Sequence, residues 1–197
     1  MKKLMKLIFR KELANYDIKY KEFIREKEEE NQIKIKMIER ESKKKYEQYR
    51  LIKRIFDIDK GSKIVGMKNN KNNEELIITE RVTDSCVWVK LYGRSYPGAG
   101  HLPRIMGSLR KTLGEPKLRT YIKIDDIINI DDNIGNGSIM MEHYIKLAKS
   151  LGVEYISGLL SEVDKDHFER SERFYKKFGF EVSFNENKTN GSIRLDL

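Results

Sequence analysis

The sequence predicts a mixed α/β (α+β) fold: a twisted sheet flanked by helices, with a long helical arm in front of it. Three observations carry this. No glycine or proline occurs before Gly61, while all 13 glycines and all 3 prolines lie from there onward. Beyond residue 59 the apolar residues gather in short β-branched and aromatic runs, interrupted by two stretches with helical spacing. A glycine pair, Gly135 and Gly137, separates one such run from one such helix.

Residues 1–58 form the arm. Lys, Glu, Arg, Leu, Ile and Met dominate it, all good or tolerable helix formers. Phe9, Leu13, Tyr16, Tyr20 and Phe23 follow one another at spacings of 4, 3, 4 and 3, which puts them on one helical stripe. Tyr46, Tyr49, Ile52 and Phe56 make a second stripe, with Ile55 alongside. Between the two, Ile33-Lys34-Ile35-Lys36-Met37-Ile38 is ambiguous: within a helical arm, its alternation could also be a short strand or the joint between two helices. The arm holds 18 Lys/Arg against 11 Asp/Glu and so carries +7 of the net +9. Its interleaved glutamates cancel phosphate attraction, which argues against a nucleic-acid partner. The stripes suit packing on the chain's own domain or a coiled-coil-like homodimer through the arm.

Residues 59–197 are then the domain proper. Runs at Ile64–Met67, Glu75–Val82 and Cys86–Tyr92 read as strands, the first two separated by the polar turn 68–73. Residues 94–117 hold all three prolines and read as a long loop with a short helix over 104–113. Loops of that length often act as lids. A long strand over 118–130 follows, then the glycine loop, then a helix from about Ile139 to Ser150 capped by Gly152. A strand over Tyr155–Leu160, a helix over Lys165–Lys177 closed by Gly179, and two final strands at Phe180–Phe184 and Ser192–Leu197 complete the chain.

The strand, glycine loop and helix carry the chemistry. Glycines at 135 and 137 let the backbone approach a ligand closely and present amide N–H groups, and the helix adds its positive dipole end. Together these suit a phosphate or pyrophosphate. No Gly-Lys-Ser/Thr follows, which excludes a Walker loop, and the third glycine of a dinucleotide fingerprint is missing.

The run Gly135-Asn136-Gly137-Ser138-Ile139-Met140-Met141, an amphipathic helix, a strand and then Phe174-Tyr175-Lys176-Lys177-Phe178-Gly179-Phe180 resembles the GCN5-related N-acetyltransferase (GNAT) superfamily over residues 121–184. The stretch from Asp164 to Arg173 is similar to a bacterial subset of those enzymes. The resemblance implies a mostly antiparallel GNAT-like sheet and acetyl-CoA-dependent transfer of an acetyl group to an amine, on a small molecule, peptide or protein. It implies that Asn133, Ile134, Gly135, Asn136, Gly137 and Ser138 wrap the pyrophosphate of acetyl-CoA. The preceding strand, ending at Ile128–Ile130, would splay from its neighbour and hold the pantetheine arm. Tyr175 would be the general acid that protonates the leaving thiolate. A carboxylate or a water chain would serve as the base, with Asp125, Asp126 and Glu80 as candidates. The family usually carries Arg or Gln three residues before the first loop glycine, where this chain has Asp132, preceded by Asp131. It also opens with one strand and two helices, which residues 32–58 could supply. A scaffold of the same fold without catalysis is the competing expectation.

Tyr175 also lies on the stripe Phe168, Ser171, Tyr175, Phe178, so a core tyrosine remains open. His101, His143 and His167 read as solvated or helix-surface residues, and Cys86 as a small core residue. No cluster has metal-ligand spacing, so no metal is expected. One cysteine excludes an intramolecular disulfide and makes a reducing cytoplasm the natural location. No run approaches the ~18 apolar residues of a membrane span. The first ten residues have the basic flank of a leader, but Lys6 and Arg10 cut its apolar stretch.

Overall fold

A computed structural model describes residues 2–96, 98, 101–112, 119–131 and 133–197, without the side chains of 2–4, 6–8 and 164. The chain divides into two compact units, Met1–Arg50 and Leu51–Leu197. Helix α1 runs over Lys2–Ile58. In the first unit its described side chains are exposed, apart from the half-buried Gln48, and these include Phe9, Leu13, Tyr16, Tyr20 and Phe23. Its last turns belong to the second unit, where Ile55 is buried and Leu51 and Ile52 pack against the core.

The second unit is built on one eight-stranded sheet. Strands β1 (Lys63–Asn69), β2 (Glu75–Val82), β3 (Cys86–Tyr92), β4 (Arg104–Lys111) and β5 (Thr120–Ile128) form an antiparallel run. After β5, helix α2 (Asn136–Ser150) crosses over to β6 (Tyr155–Leu160), which pairs parallel with β5. A 3-10 turn over Glu162–His167 and helix α3 (Phe168–Lys177) lead to β7 (Glu181–Phe184) and β8 (Gly191–Asp196). Strand β8 inserts between β6 and β7, giving the order β1-β2-β3-β4-β5-β6-β8-β7. A crossover helix is what a parallel pair requires, because a tight hairpin can join only antiparallel strands.

Period-two patterning sorts the sheet into two faces. Cross-strand partners share a face. Val87, Val89 and Leu91 are fully buried, and their registered partners Gly107, Ile105 and Ile78 lie on the same side. That side takes α2, whose Met140, Met141, Tyr144 and Ala148 are fully buried. Gly107 is required there: a Cβ on it would lie 2.1 Å from the Tyr144 hydroxyl and 2.6 Å from the Lys123 carbonyl. The opposite face carries Trp88, Lys90, Tyr92, Arg104 and Met106.

Four expectations change. Residues 33–38 are neither strand nor joint but part of α1. Their apolar side chains are exposed, and an isolated strand there would leave backbone groups that a helix satisfies internally. For the same reason residues 32–58 do not supply two opening helices. The helix expected over 104–113 is strand β4, whose backbone is paired by β3 on one side and β5 on the other. Finally, Ser161 accepts a hydrogen bond from the Val163 amide and starts the 3-10 turn, so α3 begins at Phe168 rather than at 165. The proposed lid over 94–117 thus contains a sheet strand, and its residues 97, 99, 100 and 113–117 lie outside the described ones.

Candidate active site

The parallel pair is short. Its register covers Tyr121↔Tyr155, Ile122↔Ile156, Lys123↔Ser157 and Ile124↔Gly158, and stops there. The start is clamped by stacked rings of Tyr121 and Tyr155, 4.7 Å apart, with the Arg194 guanidinium 3.8 Å from the Tyr155 ring centre. Beyond Ile124 the strands part. A bulge on β5 inserts Asp125 between the partners of Met106 and Gly107, which re-aims the strand. Strand β5 continues along β4 to Ile128, and β6 continues along β8 to Leu160. A wedge therefore opens between them, edged by β5 backbone with no registered partner on that side.

The β5 edge of the wedge runs on in sequence into the glycine loop. Asn133 and Gly135 are left-handed, at φ 63° and 91°. Gly135 is the N-cap of α2, and its carbonyl accepts the first helical bond from the Ile139 amide. The helix therefore begins at Asn136, inside the loop, so Asn136, Gly137 and Ser138 are its first turn and have amides without intrahelical acceptors. The loop is braced from two sides. The Lys71 amide donates to the Ile134 carbonyl at 2.8 Å, tying it to the β1–β2 turn. The buried Asn136 side chain donates to the Tyr96 hydroxyl at 3.0 Å and accepts from Asn70 at 3.4 Å. Only the backbone of Asn136 is thus available to a ligand.

Local charge follows from these contacts. The Tyr96 hydroxyl donates to the Asp131 carboxylate, so this acid is held by a phenol rather than left free beside the loop. Burial and then the Asp131 hydrogen bond push Tyr96 up to about 12, so it stays a donor at neutral pH. Asp132 lies outside the described residues. Two lysines flank the loop: Lys177 donates to the Ser138 hydroxyl at 2.9 Å, and the Lys71 side chain runs 3.5 Å from where a Gly135 Cβ would stand. Gly137 lies against α3, a Cβ there falling 3.3 Å from the Phe174 ring.

The candidate side chains are spread over both faces. Tyr175 is buried, with ring centres 5.4 Å from Phe174 and 5.4 Å from Phe180, both edge-on. Its neighbour Phe174 is the residue that meets Gly137. Glu80 is registered with Val89, on the side that α2 covers. Asp126 is registered with Met106, on the other side. Asp125 accepts a hydrogen bond from Ser108. Ile128 ends β5, while Ile130 lies beyond the strand. The brace from Tyr96 and Asn70 escaped sequence reading, because neither residue belongs to a periodic element or a motif.

The wedge after β5 and the glycine loop opening a helix are the arrangement that the resemblance to the GNAT superfamily implies. No protein-family model matches the chain. It is 26% identical over 157 residues to "Uncharacterized protein YocC" of Bacillus subtilis (strain 168), a match covering 76% of this chain and 86% of that one. Among solved structures it is similar to the crystal structure of a "putative phosphinothricin N-acetyltransferase", at 15% identity and a TM-score of 0.41. That overlap covers 58% of this chain and 73% of the other. Among the described residues, no helix is long and apolar enough to cross a membrane.

Proposed function

We propose that this chain is an acetyl-CoA-dependent N-acetyltransferase that passes the acetyl group directly to an amine. The observation that carries the reading is the wedge after Ile124 and Gly158, whose β5 edge leads into a left-handed glycine turn that opens α2. Acetyl-CoA supplies the activated thioester. The chain's residues fit it: β5 backbone for the amide-rich arm, first-turn amides of α2 for the pyrophosphate, and Lys71 and Lys177 for negative charge.

An amine must lose a proton before it attacks the thioester carbonyl. Asp126 is the base in this reading, because Asp125 is engaged by Ser108 and Glu80 lies on the helix-covered side. The new N–C bond forms as the C–S bond breaks. Tyr175 donates its phenolic proton to the departing thiolate.

Calorimetric titration with acetyl-CoA tests the reading. Binding at micromolar concentration, competed by free CoA, is expected. No heat and no thermal stabilisation at millimolar acetyl-CoA would sink it.

The exposed stripe Phe9, Leu13, Tyr16, Tyr20 and Phe23 favours a second role for the first unit, as the self-association element of a homodimer. Sedimentation of the full chain and of a Leu13→Lys/Tyr20→Lys variant checks this. A monomeric parent chain ends that reading.

A further inference from the structure

A cleft of about 220 Å³ opens on the sheet face opposite α2, lined among others by Asp59, Trp88, Lys90, Tyr92, Leu102 and Arg104. Two of its three charged groups neutralise each other. Asp59 is held by Lys90 at 2.8 Å and by the Tyr92 hydroxyl at 2.8 Å. Arg104 differs: among the described residues its guanidinium has no hydrogen-bond or ion-pair partner. A half-buried cation that shares the cleft with Leu102 and with Trp88, whose ring lies 5.6 Å from the Arg81 guanidinium, lacks the full hydration that would screen it, so it favours an anion arriving with an apolar body.

The register ties this cleft to the wedge. Arg104 is directly opposite Ile128, and Trp88 is opposite Met106, which is opposite Asp126. Arg104 and Asp126 are therefore diagonal neighbours on one face, about 7–8 Å apart. No ion pair joins them. Among the described residues neither has an ion-pair partner, and a cation and a carboxylate at that separation form a receptor for a molecule with both charges. The volume limits the occupant: about 220 Å³ is smaller than the ~300–1,000 Å³ of drug-sized pockets.

We infer that this cleft is the acceptor site, and that its acceptor is a small zwitterionic amine. The anionic end, a carboxylate or a phosphate, pairs with Arg104. The apolar body lies against Trp88 and Leu102, and the amine is delivered to Asp126 at the mouth of the wedge. This rests on the acetyltransferase reading for its consequence, although the cleft binds its ligand without it.

The test uses the full chain, acetyl-CoA and matched amines. Amino acids with apolar side chains are compared with their carboxamides, and aminoalkyl phosphates with the parent amino alcohols. CoA release is the readout. Charged members should show a KM at least tenfold below their neutral partners, and whichever anion gives the larger ratio identifies the headgroup. Arg104→Gln should erase that ratio while leaving acetyl-CoA affinity unchanged, which also shows that the variant is folded. Equal KM for charged and neutral members, or an Arg104→Gln effect of the same size on both, overturns the inference. So does a failure of every charged amine to turn over or to bind calorimetrically at 10 mM (on the order of a −2.7 kcal/mol ceiling) while acetyl-CoA still binds. If acetyl-CoA itself does not bind, the enzyme reading falls, and calorimetric binding of a charged amine abolished by Arg104→Gln still upholds the cleft.

Discussion

Asp59→Asn should destabilise the second unit and flatten its response to acid. Asp59 follows the last residue of α1, and its amide closes that helix on the Ile55 carbonyl at 2.8 Å. The carboxylate is 6% exposed and accepts from Lys90 and Tyr92, both at 2.8 Å. Burial by itself would raise this carboxyl, but the hydrogen bonds from Lys90 and Tyr92 outweigh it and hold it below the usual 3.8. An asparagine can still accept from Tyr92, but it strands the Lys90 ammonium. Breaking a buried pair from one side costs about 3–5 kcal/mol. The Lys90 side chain is 20% exposed and regains some water, so about 2–3 kcal/mol is expected here. In a unit of this size that lowers Tm by about 4–10 °C. Between the lowered folded value and 3.8 the unfolded chain binds more protons, so stability rises with pH through that window. The contribution is complete above it and lost below it. Urea melts of both proteins from pH 7 to pH 3 measure this, and Lys90→Met in the Asp59→Asn background should restore at least half of the loss. A cost under about 0.5 kcal/mol at pH 7, or a difference that does not shrink in acid, would refute the reasoning.

Tyr144 has a fully buried hydroxyl without a partner among the described residues, so Tyr144→Phe should raise stability by about 1 kcal/mol in denaturant melts. A loss instead would show that the hydroxyl is satisfied, as by a trapped water. Gly107→Ala should cost about 3 kcal/mol or more, and Tyr144→Phe should recover only part, because the Lys123 carbonyl still stands 2.6 Å from the new carbon. Gly137→Glu should abolish acetyl-CoA binding in calorimetry, since it fills and charges the loop against Phe174, while Gly137→Ala needs only a few tenths of an ångström of ring movement and should still bind. Tyr175→Phe should lower turnover and leave acetyl-CoA affinity nearly unchanged. Unchanged turnover in that variant would return Tyr175 to a packing role between Phe174 and Phe180.

Where local patterning is strong, the elements were legible in advance. Glu75–Val82, Cys86–Tyr92 and Tyr155–Leu160 are read with their observed bounds, because β-branched runs bounded by polar turns have few other solutions. The glycine loop was legible for a similar reason: only glycine adopts φ 91° cheaply, so Gly135 before an amphipathic run marks a helix start. Strand β4 was not legible. Its Pro- and Gly-rich surroundings suggest a loop, and Gly107 is there for Tyr144, 37 residues away in sequence.

The sequence alone determined a glycine-free helix, a set of strands and a glycine turn that starts a helix, since each depends on neighbours a few residues apart. Tertiary structure decided what those elements do together. The wedge exists because β5 and β6 follow different partners after Ile124 and Gly158. Asp131 accepts a hydrogen bond from Tyr96, 35 residues earlier, which lies in a stretch with no periodic signal. Glu80 and Asp126 fall on opposite faces through strand register, and a single-residue bulge at Asp125 sets which face Asp126 takes. Register, bulges and long-range hydrogen bonds are properties of paired segments, so no window along one segment contains them.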